Sequence, residues 1–200
     1  MVRRVLTAGD AELGPDPDLA RARATIAAVP VADDQQERVR AEMLAFVDAH
    51  ADALVRTCRA GHLTGSALVV DAAAARVLLL FHTKLQRWLQ PGGHVDGDAN
   101  LAAAALREAT EETGIAGLRV AVPAIDLDIH EVRPPAEAPH LHLDVRYLVV
   151  APHGAVERGN HESEALRWVA PDELDGLGLD EGTVRMITRG LVAARGLLPG

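Results

Sequence analysis

Residues 98–115 read Asp98-Ala-Asn-Leu-Ala-Ala-Ala-Ala-Leu-Arg107-Glu108-Ala-Thr-Glu111-Glu112-Thr-Gly114-Ile115, and no other stretch constrains the molecule as tightly. Alanine and leucine favour helix, Asp98 is placed to accept from the first free N–H groups, and Gly114 suits the left-handed residue that ends a helix. A helix is therefore predicted over about Ala99–Thr113, with Asp98 as its N-cap. At ~100° per residue, Glu108, Glu111 and Glu112 fall at i, i+3 and i+4 and project from one side. Ala102, Ala105, Leu106, Ala109 and Thr113 form an adjacent stripe on which the helix can pack. Three acids so placed repel one another unless a cation sits among them, and a hard divalent ion such as Mg2+ prefers oxygen ligands of this kind. A solvated acidic face would use the same residues, so the helix alone leaves both readings open.

The flanks narrow the choice. Upstream lies Gly92-Gly93-His94-Val95-Asp96-Gly97, whose glycines let backbone approach a ligand closely. It is neither a P-loop, since no Gly-Lys-Ser/Thr follows, nor a dinucleotide fingerprint. Before it, 66–71 and 76–82 read as strands. After the helix, 118–130 and 141–150 read as longer strands separated by a proline-rich loop, and a short strand near 166–169 precedes a last helix over about 183–195. In the second long strand, His140, His142, Asp144 and Arg146 alternate with Leu141, Leu143, Val145 and Tyr147, giving one chemically rich face and one apolar face. From Pro17 to about Arg59 the pattern is helical, broken at Pro30.

Taken from Gly93 to Ile115, the 23 residues resemble the Nudix box, G-x5-E-x7-R-E-U-x-E-E-x-G-U, with its spacing kept throughout. Two positions depart: Ala99 stands where the first glutamate belongs, and the small Ala109 takes the apolar position after Arg107-Glu108. The resemblance implies an α/β fold, an α/β/α sandwich with a mixed β-sheet, over residues 63–200, leaving 1–62 as an N-terminal helical extension. It implies that the Gly93 carbonyl with Glu108, Glu111 and Glu112 binds Mg2+ or Mn2+, that Glu108 shares a metal or helps deprotonate water, and that Arg107 orients a carboxylate. Ala99 puts efficiency and metal stoichiometry in question more than the fold. Relatives often draw a general base from a glutamate in a late loop, where this chain has Glu162 and Glu164; Glu162 is favoured.

The implied reaction is metal-dependent cleavage of a diphosphate linkage in a nucleoside-diphosphate-linked or related small molecule. On the substrate side stand Trp88, His94, His140 and His142. A stacked Trp88 would favour a base, whereas a histidine-lined pocket would favour a more polar, compact group. The proline-rich loop at 134–140 and the N-terminal helices are the expected walls of that pocket. The alternative is a catalytically weak domain that senses a nucleotide ligand or serves as an interaction module. Isopentenyl diphosphate isomerase, a relative of the same fold, needs a cysteine where Gly92 stands, and Cys58 lies far away.

Composition bounds the size of the domain and the class of partner. Two hundred residues, 48% of them hydrophobic, suffice for one domain and an extension, and only five aromatics (Phe46, Phe81, Trp88, Tyr147, Trp168) are available to the core. A net charge of -9 opposes binding to a nucleic acid polymer or an anionic membrane. The lone Cys58 excludes an intrachain disulfide, and no apolar run approaches a membrane span, so a cytoplasmic location is expected. The apolar stripe of the N-terminal helices would pack on the chain's own core or in a homodimer.

Overall fold

The computed structural model describes residues 3–134 and 138–197. In chain order its strands are β1 (Arg4–Thr7), β2 (Gly61–Val70), β3 (Val77–His82), β4 (Arg87–Leu89), β5 (Gly92–His94), β6 (Arg119–Val132), β7 (His140–Val150) and β8 (Ser163–Val169). The helices are α1 (Leu19–Ala28), α2 (Asp34–Ala49), α3 (Leu101–Thr113) and α4 (Glu181–Arg195). Residues 135–137, in the proline-rich loop expected to wall the pocket, lie outside the described residues.

β2 is the spine. It is buried along its whole length and pairs in parallel with β7 from Gly61↔Leu141 to Val70↔Val150. Its other edge is divided, with β5 pairing to residues 64–66 and β3 to Val69 and Val70. The remaining ladders are antiparallel, so the sheet is mixed, ordered β1-β6-β7-β2-β3-β4, with β5 on β2 and β8 on β3. β2 begins five residues before the strand expected from sequence at Ser66, because the long parallel ladder with β7 recruits Gly61 and Gly65 despite their poor strand propensity.

Helices cover both faces. On one, Leu63, Ala67, Val69, Leu143, Val145 and Tyr147 meet the apolar stripe of α3 and residues Ala22, Ile26, Met43 and Val47 of α1 and α2. On the other, Leu68, Val70, Ile125 and Leu148 meet Met186, Ile187 and Leu191 of α4. Gly65 sits where a Cβ would lie 3.0 Å from the Leu101 carbonyl, so glycine there lets α3 settle close to the sheet. The apolar stripe of the N-terminal helices is thus used within the chain, and the first 62 residues also supply β1, an edge strand on β6. No helix among the described residues is long and apolar enough to cross a membrane.

The polar face of β7 is not the half-exposed surface that alternation alone would allow. Asp144 is 1% and Arg146 3% exposed, beneath α4. Three aspartates and three arginines neutralise one another there. Arg146 reaches Asp144 at 2.8 Å, Asp128 at 3.0 Å and Asp126 at 3.4 Å. Arg185 of α4 lies 3.1 Å from Asp126 and 2.8 Å from Asp128, and Arg189 lies 2.8 Å from Asp126. Arg189 also donates to the Pro30 carbonyl at 2.7 Å and to Gln36 Oε1 at 3.0 Å, and Gln36 Nε2 donates to the Leu127 carbonyl past the end of β1. The network therefore joins α4, the α1–α2 connection and the sheet. Removing one member leaves buried charge uncompensated. Asp126→Ala is expected to lower stability by about 3–5 kcal/mol in urea unfolding; a loss under ~1 kcal/mol would mean that the other five charges re-pair at little cost.

Candidate active site

Two glycines bring β5 against α3. A Cβ on Gly93 would stand 2.5–2.8 Å from the atoms of the Glu108 carboxyl group, so only glycine leaves that carboxylate its place. The Gly92 N–H donates to Glu112 Oε2 at 2.8 Å. Arg107 fastens the same junction from outside: Nη2 donates to the His94 carbonyl at 2.7 Å, while Nη1 lies 2.6 Å from Glu108 and 3.5 Å from Glu111. The three acids therefore stand on one side of α3, as their spacing requires, but at different depths. Glu112 is 5% exposed as a residue, and the side chains of Glu108 and Glu111 are 15% and 57% exposed.

Depth sets their electrostatics. Burial pushes the Glu112 carboxyl up to about 8, with the negative charges of Glu108, Glu162 and Glu111 adding to the effect and the Gly92 N–H opposing it. Burial raises Glu108 too, against the counter-charge of Arg107, and Glu111 and Glu162 again add. Burial thus disfavours the charged forms of Glu108 and Glu112 together, and only Glu108 has a guanidinium against it. The site's donors are oxygens beside glycine backbone, the set a hard divalent ion takes, so Glu108, Glu111, Glu112 and the Gly93 carbonyl fit Mg2+ or Mn2+.

These groups form one end of a cleft of about 530 Å3. Its rim carries Arg56, Lys84, Arg87 and Glu162, and its inner wall carries His94, His130, His142 and Asp144. Burial lowers His142 to about 3 and His94 to about 4, with neighbouring histidines adding to both and Arg56 to His94. Both rings are neutral at pH 7.

The structure brings most of the singled-out residues together, but not all. Arg107, Glu108, Glu111, Glu112, Gly93, His94, His142 and Glu162 all line the cleft. Glu162 and Glu164 part company, since Glu164 accepts from Gln86 Nε2 at 2.6 Å. Trp88 does not line the cleft, although its strand neighbours Arg87 and Leu89 do. Strand alternation turns its ring the other way, edge-on to Phe81 at 5.4 Å and against the α4-side core. His140 is 8% exposed, packed behind the cleft wall with its ring 5.0 Å from that of His62.

One expectation about the start of α3 is corrected. Its N-cap is Asn100, which accepts from the Ala103 N–H, not Asp98. Asp98 accepts instead from Asn100 N at 2.8 Å and from Asp16 N at 2.9 Å, holding the N-terminal segment in place. Ala99, where the Nudix box has glutamate, is fully buried in the core and donates its N–H to the Asp16 carbonyl. A glutamate there would have to displace that segment.

Residues that sequence reading passed over are Arg56, His62, Thr64, Ser66, Lys84, Arg87 and His130. Period-two alternation was available as a signal for His62, Thr64 and Ser66 on β2 and for Asp126, Asp128 and His130 on β6. The register that lays those faces beside His142 and Asp144 was not, because it depends on β7 pairing with two other strands, parallel to β2 and antiparallel to β6.

The chain matches the family model of the NUDIX domain over residues 62–189. No curated protein matches it. Among solved structures it is similar to a NUDIX family hydrolase from Clostridium perfringens, at 22% identity and a TM-score of 0.54, covering 68% of this chain and 98% of that one. An Ap4A hydrolase from C. elegans, solved as a binary complex, matches at 17% identity and a TM-score of 0.54 over the same shares, 68% and 98%. A bifunctional NMN adenylyltransferase/ADP ribose pyrophosphatase from Francisella tularensis, complexed with AMP and a Mn ion, matches at 17% identity and a TM-score of 0.52, covering 78% of this chain and 49% of that one. With the family model spanning more than half of its length and the acidic helix and glycine strand joined as described, the chain belongs to the Nudix hydrolase superfamily.

Proposed function

We propose that this chain hydrolyses the phosphoanhydride of a small diphosphate-linked molecule and needs Mg2+ or Mn2+ to do so. The observation that carries the reading is the pair of desolvated carboxylates, Glu108 and Glu112, set against the glycine backbone of β5 with Glu111 beside them at the mouth of a cationic-rimmed cleft. Glu108, Glu111, Glu112 and the Gly93 carbonyl would hold the ion. When bound, it supplies positive charge to the diphosphate and acidifies a water. The relative crystallised with AMP and a Mn ion supports that ion class.

Each remaining residue has work that its position supports. Arg107 keeps Glu108 and the His94 carbonyl in register, a positioning role. Lys84, Arg87 and Arg56 on the rim meet the substrate's negative charge, which falls on an otherwise acidic chain. Glu162, which lines the same cleft as Glu108 and Glu112, would take the proton of the attacking water. The water oxygen bonds to phosphorus as the bridging P–O bond breaks, the bridge oxygen leaves on the second phosphate, and one proton passes to Glu162. Among the described residues the cleft lining has histidines but no Trp, Tyr or Phe, which favours a polar, compact group next to the diphosphate over a base stacked on Trp88.

A panel of nucleoside-diphosphate-linked and non-nucleotide diphosphates, assayed for the phosphomonoester products by chromatography or by the phosphate an added phosphatase frees from them, tests this directly. Turnover should need Mg2+ or Mn2+ and fall at least ~100-fold in Glu111→Gln and in Glu112→Gln, while Glu162→Gln should lower kcat about 100-fold or more with little change in KM. Metal-dependent binding with no turnover on any compound would point instead to a nucleotide-ligand sensor.

The raised Glu112 carboxyl also sets a pH dependence for the metal-free protein. In the unfolded chain the group ionises near 4.5 and in the folded chain near 8. Its protonated form stabilises the fold below about 4.5, and that contribution is lost as pH rises toward about 8. In EDTA, thermal unfolding of Glu112→Gln should therefore gain on wild type between pH 5 and pH 8. Parallel curves for the two proteins would show that Glu112 is ionised throughout.

A further inference from the structure

Five of the chain's nine histidines (His62, His94, His130, His140 and His142) meet in one place. Three of them come from three strands by register alone. His62 on β2 is the parallel partner of His142 on β7, and His94 on β5 is the partner of Thr64, two residues along β2 and therefore on the same face as His62. Their ring centroids stand 4.9 Å apart for His62 and His94, 4.9 Å for His62 and His142, and 5.4 Å for His94 and His142. One nitrogen from each lies within 4.8 Å of the other two. His62, 2% exposed, closes the group from beneath, while His94 and His142 open onto the cleft.

We propose that His62, His94 and His142 form a second metal site, for a borderline cation of the zinc class, separate from the carboxylate site on α3. Zinc–imidazole bonds run ~2.0–2.1 Å, which places tetrahedral nitrogens roughly 3.3 Å apart. Side-chain rotations of about 1 Å close the observed triangle onto that geometry. The donor sets divide by chemistry: three imidazoles select Zn2+, Co2+, Ni2+ or Cu2+, whereas the oxygen set of Glu108, Glu111 and Glu112 suits Mg2+ and Mn2+. The burial of His62 leaves the cleft as the side from which a fourth ligand arrives, as in zinc sites that keep an open position. An anionic oxygen of the cleft's occupant is such a ligand.

The test uses untagged protein stripped with chelator and then held in excess Mg2+, so that the carboxylates are satisfied. Zn2+ titration should show one tight equivalent per chain, and Co2+ should give the visible absorption of a tetrahedral ion. Cu2+ bound to the wild-type protein should show several nitrogen couplings in its electron paramagnetic resonance spectrum, a readout that needs no variant to fold. His62→Asn and His142→Asn should lose the tight equivalent, whereas the Glu111→Gln/Glu112→Gln double variant and His161→Ala, at an exposed histidine, should keep it. Absence of stoichiometric Zn2+ binding, a Cu2+ spectrum from oxygen donors alone, or loss of the equivalent in the glutamate double variant or in His161→Ala would each overturn the site. Because the glutamate double variant separates the two sites, the inference stands or falls independently of the proposed hydrolysis.

Discussion

Two carboxylates taken out of water side by side disfavour each other's ionisation unless a cation or a proton comes between them, and Glu108 and Glu112 are held in that state by backbone. Gly93 of β5 admits the Glu108 carboxyl group where a Cβ would collide with it, and the Gly92 N–H fixes the other acid. Arg107 binds the strand carbonyl and the helix acid at once, so neither can drift from the other. The rest of the architecture serves to keep a short strand and the last turns of a helix at that distance. β2 carries β5 on its edge, Gly65 lets α3 lie close, and Gly114, in the left-handed conformation, ends α3 directly after the acidic run.

The N-terminal segment has a part in this that its low chemical content hides. Asp98 and Ala99 both bond to Asp16, and Asn100 Nδ2 donates to the Glu12 and Gly14 carbonyls at 3.1 and 2.9 Å while its Oδ1 caps α3. The segment therefore closes over the start of the helix, at the position where relatives carry their first box glutamate. Alanine fits beneath it and a glutamate does not. The same segment contributes β1 to the sheet edge and, through the α1–α2 connection, joins the charge network that α4 makes with Asp126 and Asp128.

Local periodicity accounts for what the sequence made legible. The three glutamates share a side because helix geometry demands it, Gly114 ends α3, and His142, Asp144 and Arg146 share a face because strand geometry demands it. What failed depended on tertiary contacts. Asp98 and Asn100 are equally good caps by type, and only the partner at Asp16 decides between them. Trp88 is open by type to stacking on a base or to covering the core, and alternation on β4 decides for the core. β1 has four residues and no pattern of its own, and exists because β6 offers an edge. The imidazole cluster needs the β2–β7 register, which no local window contains.

Anomalous diffraction from crystals grown with Mn2+ reaches the central claim most directly. Anomalous density coordinated by the Glu112 and Glu108 carboxylates and the Gly93 carbonyl is the predicted result, with Glu111 completing or bridging the site. Density confined to exposed acids elsewhere, with Glu112 still bonded to the Gly92 N–H and no ion beside it, would contradict the account.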